Sequence, residues 1–192
     1  MVYNMKDCFN DILSKYKSGE WNVEIPLIIS NHSDMEETAN RFGLSYHYIP
    51  VSKQTKVERE KKQLQLLSDH NIDLVVLARY MQILSDNFVS QFQNQIINIH
   101  HSFLPAFAGA KPYHQAYDRG VKIIGATAHY VTDDLDEGPI IEQDIRRVDH
   151  STSPESMQQS GYDIESSVLL RAVRLYSERR IMLNGIKTVV FN

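Results

Sequence analysis

The sequence predicts an α/β domain built on a doubly wound, mostly parallel sheet that ends in an antiparallel C-terminal portion. Two short apolar runs carry the first part of that reading. Leu74-Val75-Val76-Leu77-Ala78 and Ile96-Ile97-Asn98-Ile99-His100 read as strands covered on both faces. Helical patterns lie between the strands over the first hundred residues, and that alternation favours parallel crossovers. Beyond residue 120 the pattern changes. Two long strands, Ile123-Val131 and Ile140-Val148, flank the turn from Thr132 to Pro139, so they pair antiparallel. No repeat, low-complexity tract or linker divides the 192 residues, and residues 1–192 read as a single domain.

The elements follow in order. Asn4, with Asp7 three residues on, caps a helix carrying Met5, Phe9, Ile12, Leu13 and Tyr16, which Gly19 closes. Val23 to Ile29 reads as a buried strand. A second helix begins after Asn31-His32-Ser33 and ends near Gly43, and Tyr46 to Ile49 is a short strand stopped by Pro50. Lys53 to His70 is a charged helix with Val57, Leu64 and Leu67 inward and a solvated Lys56-to-Lys62 face. Ser85 caps a helix through Phe88, Val89 and Phe92. A loop through Gly109 leads to a short helix near Tyr113-Tyr117. Ser153-Pro154-Glu155 opens a long helix bearing Ile164, Val168, Leu169, Ala172, Val173 and Tyr176. Asn184-Gly185, between Ile181-Leu183 and Ile186-Phe191, signals a hairpin.

The chain is 42% hydrophobic and 23% charged, with net charge -4 and a pI of 6.0. This balance asks for no nucleic acid and no anionic membrane. No stretch approaches the ~18 apolar residues of a membrane helix, and no signal peptide is evident, so a cytoplasmic protein is expected. The one cysteine, Cys8, reads as a small buried apolar residue rather than a reactive thiol.

Asn98-Ile99-His100-His101-Ser102-Phe103-Leu104-Pro105 is the stretch most suggestive of chemistry. Side chains alternate along a strand, so Asn98 and His100 share a face, about 6.6 Å apart along the chain. A hydrogen-bond-donating amide beside a proton-moving imidazole suits a carbonyl that becomes an oxyanion. The same two residues also fit a plain role as strand-end polar groups tying down a loop. The turn from Asp133 to Glu137 holds four acids that fit a solvated turn, and Asp136 stands apart beside Gly138-Pro139. Brought to His100, its carboxylate would tune the imidazole or orient a water. His100, His101, His114 and His129 match no zinc spacing, so no metal is expected. His101 is expected to be oriented by a backbone group, and His129 to pack beneath the site. No nucleotide-binding glycine motif is present, and no cofactor is expected. Tyr80, Met81, Ile83 and Leu84 fit either ordinary core or the wall of a pocket for a flat, partly apolar ring system.

Several separated segments together resemble the folate-dependent formyltransferase superfamily, and within it the catalytic domain of the formyltetrahydrofolate deformylases. They are Ala78-Arg79-Tyr80-Met81-Gln82-Ile83-Leu84-Ser85, the Ile96-to-Phe107 stretch, Gly109-Ala110-Lys111-Pro112-Tyr113-His114-Gln115-Ala116, Gly125-to-Val131 and Leu135-to-Ile141. The likeness runs from about Asp7 to the C-terminus. It implies a formyltransferase-like Rossmann variant, with the superfamily's catalytic trio falling on Asn98, His100 and Asp136. The folate pocket falls on Met81, Gln82, Ile83 and Leu84 and on the Val131-to-Asp136 stretch, including Leu135. Transformylases acting on glycinamide ribonucleotide usually carry His-Pro-Ser where this chain has His100-His101-Ser102, and a Gly-rich phosphate loop where it has Asn4-Met5-Lys6-Asp7-Cys8. Deformylases of this kind usually begin with an ACT domain, which is not expected among these residues, and against the family's catalytic fold the first strand of the sheet is nearly missing, which is read as truncation.

The resemblance thus implies hydrolysis of 10-formyltetrahydrofolate to formate and tetrahydrofolate. Two alternatives stand beside it: formyl transfer to an amine such as glycinamide ribonucleotide, and a non-catalytic folate-binding module. The expected partners are a small-molecule folate and a further copy of the chain.

Overall fold

The computed structural model describes residues 1–2, 6–21, 23–104 and 112–191, without the side chains of 6–8 and 112. The readings placed on Asn4, Met5 and Gly109, and on the side chains of Asp7 and Cys8, lie outside these residues.

The elements run α1 (Lys6–Lys17), β1 (Leu27–Ser30), α2 (Glu36–Arg41), β2 (Ser45–Tyr48), α3 (Lys56–Asp69), β3 (Val75–Leu77) and α4 (Asp86–Gln91). There follow β4 (Ile96–His100), α5 (Pro112–Arg119), β5 (Ile123–Tyr130), β6 (Ile140–Arg147), α6 (Pro154–Ser177), β7 (Ile181–Asn184) and β8 (Lys187–Val190). β1 pairs parallel with β2, and β3 pairs parallel with β4. β5 then runs antiparallel to β4, and β6 antiparallel to β5, giving the order β3-β4-β5-β6. β7 and β8 form the hairpin, with Gly185 at φ 62° in its turn.

Val2 joins the two main sheets. It bridges parallel to Ser30 and to Ala78; its N–H donates to the Ile29 carbonyl at 3.0 Å, and the Ala78 N–H donates to the Met1 carbonyl at 2.9 Å. One residue thus stands where a central strand would lie, and a cleft of about 860 Å³ opens beside it among Phe9, Leu13, Trp21 and Ile28. The first strand after α1 is shorter than the apolar run implies, because only Leu27–Ser30 pairs. Pro26 has no N–H to give a ladder, although Val23 and Ile25 still pack against the core.

Strand alternation builds a core on each face. Ile97 and Ile99 of β4 join Leu13, Val168 and Leu169 under α1 and α6. Val75, Leu77 and Ile96 join Leu67, Phe88 and Val89 under α3 and α4. Two helix starts form as their sequences dictate. The Ser85 side chain accepts from the Phe88 N–H, and Ser153 accepts from the Ser156 N–H ahead of Pro154. Among the described residues no helix is long and apolar enough to cross a membrane.

Candidate active site

Asn98 and His100 lie on β4, and Ile97 and Ile99, buried under α6, fix the opposite face. The antiparallel register sets Asn98 opposite His129 and His100 opposite Thr127, so side chains of facing residues meet across the strands. Buried Thr127 anchors the segment after His100. Its hydroxyl donates to the Ser102 carbonyl at 2.9 Å and accepts from the Leu104 N–H at 3.1 Å and from Gln143 at 2.9 Å.

The turn after β5 brings in the carboxylate. The Val131 N–H donates to the Ile96 carbonyl at 2.9 Å, and the chain then folds back over the face that carries Asn98. Asp136 takes a left-handed backbone, φ 59°. Its Oδ2 lies 3.3 Å from His100 Nδ1, and its Oδ1 lies 3.6 Å from His129 Nε2. The imidazole of His100 beside it holds its carboxyl well below the usual carboxylate range, so it stays ionised at neutral pH. Gly138 makes this turn possible, because a Cβ there would sit 1.8 Å from the Tyr130 carbonyl oxygen. Gly138→Ala is therefore expected to cost about 1–3 kcal/mol of stability, read by urea denaturation; an unchanged midpoint would contradict this account of the turn.

Hydrogen-bonding roles follow from the acceptors. His129 Nδ1 lies 2.9 Å from the Tyr130 carbonyl, which only accepts, so Nδ1 carries a proton. His129 Nε2 then accepts from the Asn98 amide at 3.2 Å. That bond uses one amide hydrogen and leaves the other for a ligand. His100 Nδ1 faces a carboxylate and so carries its proton there. Its Nε2 is buried and has no hydrogen-bond partner among the described residues, which leaves a lone pair for a reacting group. His101 stacks on His100, with ring centroids 4.9 Å apart and planes 17° apart. Burial, with the charges of His100 and Arg79, pushes its pKa down to about 4, so it is neutral. Its Nε2 also lacks a partner among the described residues.

The segment following β3 presents Met81 and Ile83 as exposed apolar side chains, and Leu135 is exposed on the turn that carries Asp136. Gln82 and Val131 are half-buried, and Leu84 points into the α3–α4 core. The segment is pinned from below: the Ser85 N–H donates to Glu60 Oε1 at 3.1 Å, and Gln63 donates to the Tyr80 hydroxyl at 2.8 Å. The 860 Å³ cleft beside Val2 holds none of Asn98, His100 and Asp136. Among the described residues no group of three or more His, Cys, Asp or Glu side chains is arranged to hold a metal ion.

Two residues take roles that spacing alone does not assign. His129 does more than pack below the site, since it orients the Asn98 amide. Glu165, 1% exposed, accepts from the Tyr113 hydroxyl at 2.9 Å and lies 3.0 Å from Arg79 Nε. A signal for it existed: Glu165, Val168, Leu169 and Ala172 fall on one helical stripe, and a carboxylate among apolar residues there has to be paired.

A mixed α/β sheet with an amide, an imidazole and a carboxylate meeting at the carboxyl end of a strand defines an acid–base site at a strand-end crevice. The chain belongs to the formyl transferase family, whose model matches residues 1–173. It is 56% identical over 99% of its length to a formyltetrahydrofolate deformylase of Synechocystis, of which it covers 66%. It is 53% identical over 96% of its length to the Bacillus subtilis protein of that name, of which it covers 62%. It thus spans less than two thirds of both curated relatives. The crystal structure of formyltetrahydrofolate deformylase from Burkholderia mallei matches all of this chain and 69% of that one, at 50% identity and a TM-score of 0.95.

Proposed function

We propose that the chain hydrolyses 10-formyltetrahydrofolate to formate and tetrahydrofolate, with Asn98, His100 and Asp136 as the reacting set. The observation that carries this reading is the 3.3 Å approach of the Asp136 carboxylate to His100 Nδ1. It leaves the buried Nε2 as a base whose protonated form has a counter-charge at hand. The kinship with deformylases supports the substrate, as do the exposed apolar side chains of Met81, Ile83 and Leu135 beside the polar set.

The steps balance with water as the only co-reactant. His100 Nε2 takes a proton from water as the oxygen bonds to the formyl carbon. The free Asn98 amide hydrogen meets the carbonyl oxygen as it gains charge. Asp136 holds the His100 tautomer and offsets the imidazolium charge. His100 then gives its proton to N10, the bond from N10 to carbon breaks, and formic acid leaves with tetrahydrofolate and ionises to formate in water. The set calls on no metal or nucleotide.

The test is formate release from 10-formyltetrahydrofolate with no acceptor added. Wild type is expected to form formate and tetrahydrofolate in equal amounts. Asn98→Ala is expected to lower kcat by about 10²- to 10³-fold, the usual loss for one oxyanion donor. Folate binding without turnover in wild type would instead identify a binding module, and turnover only with an added amine would identify a transferase.

A further inference from the structure

A buried charge pair lies beside His100 outside the steps above. β3 pairs with β4 as far as Leu77 opposite Asn98, and Arg79 follows two residues on. Alternation from Val75 and Leu77 would send the Arg79 side chain to the α3 face. Its backbone is instead left-handed, φ 54°, and the side chain meets α6. Arg79 is 14% exposed, its Nε is 3.0 Å from Glu165 Oε2, and its guanidinium lies 4.6 Å from the Tyr162 ring centroid. Tyr113 completes the cluster through its bond to Glu165. Gly161 lets Tyr113 in, since a Cβ there would lie 1.9 Å from the tyrosine hydroxyl.

Stability does not explain this arrangement. A left-handed non-glycine residue costs on the order of 1 kcal/mol, and a buried ion pair is often no more stable than an apolar replacement. The position explains more. Asp136 reaches His100 from the face shared with Asn98 and His129, whereas Glu165 belongs to α6 on the other face. The pair and its tyrosines fill the space on that second side. A transferase needs room beside the formyl carbon for an amine, and a hydrolase needs that room closed.

Resting on the hydrolase reading, we infer that Arg79, held by Glu165, closes the acceptor side of the site and makes water rather than an amine the recipient of the one-carbon unit. Once that side is opened, an amine nitrogen bonds to the formyl carbon, the bond from that carbon to N10 breaks, and the amine's proton passes through His100 to N10.

The experiment supplies 10-formyltetrahydrofolate and glycinamide and measures formate and N-formylglycinamide by mass spectrometry. Wild type should give formate, with N-formylglycinamide no higher than an enzyme-free control at every glycinamide concentration. Arg79→Gly/Glu165→Gln suits the left-handed backbone and strands no buried charge; it should form N-formylglycinamide at least tenfold above wild type, rising with glycinamide. Arg79→Lys, a milder change that keeps the charge paired, should give a smaller yield. The same product ratio in wild type and in every folded variant that turns over would overturn the inference and leave the hydrolase reading standing. No formate from wild type would sink both.

Discussion

Replacing Asp136 by asparagine is expected to lower formate release by about 10³- to 10⁴-fold, the scale seen when an aspartate that sets a catalytic imidazole's tautomer becomes an amide. The carboxylate accepts the proton of His100 Nδ1. An asparagine can turn its NH₂ toward that nitrogen, which moves the imidazole proton to Nε2 and removes the base. Its charge is lost as well, so the imidazolium formed during water attack has no partner. Substrate binding should hold, because Met81 and Ile83 lie on a separate segment that Glu60 and Gln63 pin independently. Rapid-quench formate assays and folate titration by fluorescence separate the two effects. A variant within threefold of wild type in the chemical step would contradict the role.

His100→Ala is expected to lower kcat by about 10²- to 10⁴-fold, the usual range for a positioned general acid–base, with little change in folate affinity. The His100 ring is nearly enclosed, 11% exposed, and its Nε2 has no described partner. Its removal leaves water in the cavity but nothing there to take a proton and return it to N10. His101 cannot substitute, because burial and neighbouring charge hold its pKa down at about 4, too weak a base at neutral pH. Full activity in His100→Ala would make the imidazole a strand-end polar group and nothing more.

Much of this was legible in the sequence where local chemistry decides the structure. Ser85 and Ser153-Pro154 start helices because a side-chain oxygen meets an unpaired N–H within three residues. Alternation on β4 likewise sets Asn98 and His100 on one face whatever packs around them. What stayed hidden depends on distant parts of the chain. Asp136 meets His100 only because the chain folds back after Val131, a path set by Gly138 and the β5–β6 pairing. Strand periodicity sends Arg79 to the α3 face, and a single left-handed residue reverses it. Glu165 sits on a stripe legible by its apolar members, while its partner lies 86 positions earlier, beyond the reach of spacing. The run before β1 looked like strand throughout, but Pro26 limits pairing to Leu27–Ser30.

The most direct test is a double-mutant cycle over His100→Ala and Asp136→Asn, read as single-turnover formate release from 10-formyltetrahydrofolate. If the imidazole and carboxylate act as one unit, the double variant should be no slower than the slower single variant, within about threefold, because groups that act together are strongly non-additive. Losses that multiply, with the double variant slower by the product of the two single effects, would show that the 3.3 Å contact between Asp136 and His100 carries no chemistry.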